Sequence, residues 1–142
     1  MVNRVRLVLV TAAFAACGTG KSAEDQPSTP TVEIAAPTDG ATVVGGPVEL
    51  TLTVTNLELR PAGTDEPNAG HHHMFINRDI VPEGEVIPAE EGVVHLGAAQ
   101  TFHVFESLEP GTYTVIAVLG DHRHARIRGA KTDTVRFTVE VP

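Results

Sequence analysis

Apolar residues recur at every second position in two well-separated stretches of this chain. Val48, Leu50, Leu52 and Val54 alternate with Glu49, Thr51, Thr53 and Thr55. Val135, Phe137, Val139 and Val141 alternate with Thr134, Arg136, Thr138 and Glu140. Period two is the geometry of a strand with one buried and one solvated face, and it cannot form the apolar stripe of a helix. No long segment carries the helical period. Residues 113–119 are apolar on nearly both faces, as in a central strand covered on two sides. Residues 31–35, 71–77 and 101–105 read as further strands, with a weaker one near 92–96. Turn residues punctuate them at "PTDG", "VGGP", "EPG" and "RGAK". About seven short strands predict an all-β domain, an immunoglobulin-like antiparallel β-sandwich, with a small barrel as the competing architecture. "SLEPGTYTV" supports the sandwich: a Pro-Gly turn followed by Tyr113 resembles a tyrosine corner entering a central strand.

The N-terminal part reads as a targeting segment. Arg4 and Arg6 precede a short apolar run from Leu7 to Ala16, too short to span a bilayer as a helix. Phe14-Ala15-Ala16-Cys17 resembles a bacterial lipobox, with Phe14 where leucine is usual. Residues 1–16 are therefore expected to be a lipoprotein signal peptide and Cys17 the lipidated residue. The alternative is an ordinary signal peptide cut after the Ala pair. Gly18 follows the cysteine, which by resemblance to Gram-negative lipoproteins points to the outer membrane. Residues 17–30, small, polar and Pro-containing, read as a flexible tether, and 31–142 as one folded domain. Cys17 is the sole cysteine of the 142 residues, so the domain has no internal disulfide and no thiolate metal ligand. That removes blue copper and cysteine-based zinc sites.

Three consecutive histidines, His71, His72 and His73, lie in a predicted strand, and Asp121, His122 and His124 follow another. On a sandwich template the strands at 71–77 and 112–119 are antiparallel neighbours, so the start of one lies beside the end of the other. His71 and His73 share a face, and His72 points oppositely. His122 and His124 share a side if the strand runs on through Gly120. His95, in or near the connection before residues 101–105, is expected at the same end as a further partner; His103 is less clearly placed. Imidazoles on strands about 4.8 Å apart can meet one ion at about 2.0–2.1 Å per Zn–N bond. His71, His73, His95, His122 and His124 are thus the candidate ligands of Zn²⁺ or Cu²⁺, with His72 and Asp121 as supporting residues. Neutral imidazoles are needed, so affinity is expected to fall as pH drops through about 6.5. Two other readings stay open: a structural hydrogen-bond cluster that orders loops, and an organic-ligand pocket.

"GHHHMFIN", "HLGAAQT", "LEPGTYTV" and "VLGDHRHAR" occur in the order seen in the bacterial DUF4399 domain family, which this chain resembles from about Gly70 to Val141. The matching positions are His71, His72, His73, His95, Gln100, Asp121, His122 and His124, and the likeness adds Gln100 to the supporting set. The family often continues the last motif with Pro-His, where this chain has Ala125-Arg126. The resemblance implies an exported β-domain with a histidine site and supplies no activity.

Other function classes find little support. The net charge is −8 with no basic stripe, which disfavours nucleic acid as a partner and favours a cationic ligand. "GTGKS" at Gly18–Ser22 echoes a phosphate loop but follows no strand. Glu83, Glu85, Glu90 and Glu91 read as solvated acidic surface, and no Ser–His–Asp arrangement is legible. The expectation is a non-enzymatic, lipid-anchored envelope module that captures or handles Cu or Zn, its partners being the membrane and a metal ion or small ligand. A metal-dependent activity is the lesser alternative.

Overall fold

A computed structural model describes residues 28–142; the expected signal peptide, Cys17 and most of the tether lie outside the described residues. The described chain forms nine strands: β1 (Thr31–Ala36), β2 (Ala41–Val44), β3 (Val48–Thr55), β4 (Glu58–Leu59), β5 (Ala69–Ile76), β6 (Val93–Leu96), β7 (Phe102–Phe105), β8 (Gly111–Gly120) and β9 (Asp133–Glu140). They make two sheets. One has the order β1-β3-β7; the other runs β2-β9-β8-β5-β4, with β6 also on β5. The architecture is the expected all-β sandwich. Two pairings depart from the antiparallel rule, since β2 runs parallel to β9 and β4 parallel to β5.

The alternating stretches bury the faces their period dictates. Leu50 and Leu52 of β3 are buried against Val115 and Ala117 of β8 and Val135, Phe137 and Val139 of β9 in one core. The tyrosine corner is present: Tyr113 Oη donates to the Glu109 carbonyl at 2.8 Å, and its ring stacks on Phe137. This fixes the entry of β8 into the sheet.

Strand β5 is the exception to one-sided burial. Every residue from Ala69 to Phe75 is buried. Met74 faces the inter-sheet core, whereas Phe75 joins Val118 and Ile87 in a second apolar cluster on the outer face. The connection between β5 and β6 folds back over that face, adding Ile80 and Val81. β5 is thus covered on both faces, and the three histidines it carries are covered with it.

Candidate metal centre

Strand alternation divides the three histidines of β5. His72 points to the inter-sheet side, where its Nδ1 lies 3.0 Å from the Gln100 carbonyl. A carbonyl only accepts, so Nδ1 carries the proton and Nε2 is the bare nitrogen. His71 and His73 point to the outer face. Register does the rest: His73 pairs with His95 on β6 and with Val118 on β8, while His71 pairs with Gly120. His95 therefore comes from the strand beside β5 in the same sheet. The weak strand expected at 92–96 forms and pairs with β5, which brings His95 to the end of the sheet where it was expected.

The fourth ring arrives from a turn. Strand β8 ends at Gly120, and His124 N–H closes back on the Asp121 carbonyl at 2.9 Å. The Asp121 carboxylate accepts from Arg123 N–H at 2.8 Å and Ala125 N–H at 2.9 Å. The second bond needs an N–H that proline lacks, so it belongs to the Ala125 variant of the motif. Ile87 N–H donates to the His124 carbonyl at 2.8 Å, so the turn is clamped from both sides. These bonds hold His124 at a φ of 63°, left-handed backbone that few residues other than glycine adopt.

Four rings converge. One ring nitrogen from each of His71, His73, His95 and His124 lies within 4.8 Å of all the others. His95 Nε2 and His124 Nε2 are 3.2 Å apart. Two nitrogens on one tetrahedral zinc are separated by about 3.3–3.4 Å, given Zn–N bonds near 2.05 Å. Ring centroids are 4.7–5.0 Å apart, except His73 and His124 at 5.8 Å. Two glycines make room: a Cβ at Gly97 would overlap the His95 ring, and one at Gly120 would lie 2.7 Å from His73 Cε1. Neither glycine is in the left-handed region, so both are kept for space rather than for conformation.

Burial disfavours the charged form of three of the four rings. Burial, then the neighbouring histidines, push His73 down to about 3. Burial also leads for His71, where His95 and His124 outweigh the opposing pull of Asp121 and bring it to about 4. Burial and His124 lower His95. Burial lowers His72 as well, against the Gln100 bond. Burial works to raise Asp121, but the two backbone donors, Arg123 and His122 outweigh it. Neutral imidazole is the ligating form. Both nitrogens of His71 and Nδ1 of His73 are buried with no hydrogen-bond partner. Buried polar atoms are nearly always paired, and leaving one unpaired costs about 1–3 kcal/mol. A coordinated ion would satisfy one nitrogen on each ring. The donor set fits Zn²⁺ or copper.

Two residues expected near the ion lie elsewhere. His122 is outside the group, with its Nδ1 3.4 Å from Asp65. Its pairing with His124 assumed continued alternation, which the turn after Gly120 abolishes. Gln100 holds His72 on the inter-sheet side and turns its own side chain to Ala98 N–H, so it does not back the four rings. His72 and Asp121 do play supporting parts, one packed and bonded, the other shaping the turn. His103 lies on β7 in the other sheet, against Phe105. Sequence reasoning missed Gly97, Gly120 and Ile87; the two glycines were visible inside "HLG" and "LGDH".

His73, His95 and His124 also line a cavity of about 610 Å³ that opens to solvent. No helix among the described residues is long and apolar enough to cross a membrane.

Similar folds occur in an engineered protein (19% identity, TM-score 0.48, covering 81% of this chain and 21% of that one). They also occur in the fibronectin(III)-like modules of Clostridium thermocellum CbhA (15%, 0.45, 80% and 47%). A third is the PKD domain of human KIAA0319 (17%, 0.40, 87% and 93%). This chain thus spans about a fifth of the first and about half of the second. No curated protein matches it in sequence. The family described as Domain of unknown function (DUF4399) matches residues 50–140, a span that carries all four converging histidines, and the chain belongs to that family.

Proposed function

We propose that this domain binds one Zn²⁺ or copper ion through His71, His73, His95 and His124, and that it serves in capture or handling of the metal rather than in catalysis. One observation carries the reading: four imidazoles, two of them buried with unpartnered nitrogens, bring ligand atoms within 4.8 Å of one another. A hydrogen-bond cluster that merely orders loops would pair at least one nitrogen of each ring, as Gln100 pairs Nδ1 of His72, whereas neither nitrogen of His71 is paired. The lipobox-like sequence ahead of the domain supports anchoring in the cell envelope, with the outer membrane as destination.

The test is metal content and titration calorimetry with Zn²⁺ and Cu²⁺ on the whole chain, purified without a polyhistidine tag. His73→Ala and His95→Ala are each expected to weaken binding by more than the ~10–100-fold typical of losing an outer partner. His122→Ala is expected to leave affinity unchanged. Equal binding by wild type and His73→Ala would refute the metal reading. Anchoring is checked separately: Cys17→Ser should release the chain from the membrane fraction or leave an uncleaved precursor, and unchanged fractionation with normal processing would refute it.

A further inference from the structure

The cavity at the histidine cluster has two kinds of wall. His73, His95 and His124 form one side, and Val86, Ile87, Pro88, Ala89 and Val93 supply the apolar remainder. His71 does not reach it. The widest gap between ring centroids, 5.8 Å from His73 to His124, separates two rings that face this cavity. Charge adds a second constraint. Four neutral imidazoles leave the full charge of a divalent ion uncompensated, and a buried uncompensated charge is costly. The carboxylates nearby are already engaged: Asp121 by two backbone N–H groups and Arg123, and Glu90, on the cavity rim, by Arg78. Val86 stands on the same rim with 65% of its surface exposed, an apolar contact waiting for cover.

We infer that this cavity is a second binding site, for an anion with a short hydrocarbon body such as an aliphatic carboxylate, whose head joins the metal between His73 and His124 while its tail lies along Val86 to Ala89 and Val93. The inference rests on the metal reading above. Zinc sites open to solvent sometimes expand to five ligands, which is the route by which the head would add without displacing a histidine. The tail distinguishes this site from simple ion pairing, because apolar burial strengthens with each methylene.

The test uses the whole chain loaded with Co²⁺, whose visible bands respond to an added ligand, titrated with chloride, acetate and butyrate. Each methylene is worth roughly a fourfold gain, so butyrate is expected to bind about fifteenfold tighter than acetate. Ala89→Phe, which adds bulk to the apolar wall at a residue that is not a candidate ligand, is expected to erase that advantage while leaving Co²⁺ affinity intact. Bands that ignore butyrate, or equal affinity for all three anions, would overturn the cavity site and leave the metal reading standing. Failure to bind Co²⁺, Zn²⁺ and Cu²⁺ alike would overturn both.

Discussion

His71 and His72 are neighbours in sequence and equally buried, yet their energetics differ. His72 has one nitrogen paired to Gln100, whereas neither nitrogen of His71 has a partner. His71 is therefore a cost in the metal-free protein, one that the proposed ion would offset by taking one of its nitrogens. Leucine is of similar bulk and has no polar atom. His71→Leu is expected to raise metal-free stability by about 1–3 kcal/mol in denaturant unfolding, while abolishing tight metal binding. His72→Leu should fall short of that gain by about 1 kcal/mol or more, because it strips the Gln100 carbonyl of its donor. If His71→Leu destabilises the metal-free chain, its nitrogens have partners and the site is structural. The two glycines make the complementary case. Gly97→Ala and Gly120→Ala should displace the His95 and His73 rings respectively, weakening metal titration more than thermal stability, since neither position requires left-handed backbone.

Among the elements, β5 collects the site because it has a neighbour along both edges. Its pairing with β8 was legible, because the strongly apolar 113–119 run and the Pro-Gly turn ahead of Tyr113 mark a central strand. The bounds of β3 and β9 followed from unbroken alternation. β2 and β4 were not foreseen: β4 has two residues, too few for a period to register, and β2 forms through parallel pairing with the distant β9. β6 was visible as a weak strand, but its partner depends on tertiary packing. His122 was misjudged because alternation says nothing past the last paired residue. The element that decides this is the turn after β8, held by the Asp121 carboxylate. Asp121→Ala removes both of its backbone bonds and is expected to weaken metal binding by about 10–100-fold, as loss of a ligand-orienting partner does. Asp121→Asn keeps an acceptor oxygen and should retain most of the affinity. Hydrogen exchange of the β5 and β8 amides should be unchanged in both. Equal loss in the two variants would mean that charge, not turn geometry, is what Asp121 supplies.

For the whole molecule, the buried histidines link folding to protons and, on the proposed function, to metal. His71 and His73 are held near 4 and 3 in the folded state, against about 6.5 in an unfolded chain. Between those values the unfolded state binds more protons, so stability is full above about 6.5 and falls as pH drops toward 4 and then 3. Each ring contributes no more than about 1.4 kcal/mol per pH unit. A His71→Leu, His73→Leu double variant should therefore show a shallower loss of stability with acid than wild type, and identical slopes would contradict the burial of neutral rings. The same depression alters the expected pH dependence of metal binding. Four ordinary imidazoles would release about three protons when an ion binds at pH 6, since each would be about three-quarters protonated there. In the folded protein His71 and His73 have essentially no proton to give at that pH, and His95 and His124 can release at most one each. Zn²⁺ binding at pH 6 is accordingly expected to release fewer than two protons per ion. Calorimetry in buffers of different ionisation enthalpy measures this number directly. A value near three would mean that the rings are solvated and protonated before the metal arrives, and that the preformed neutral cluster does not exist in solution.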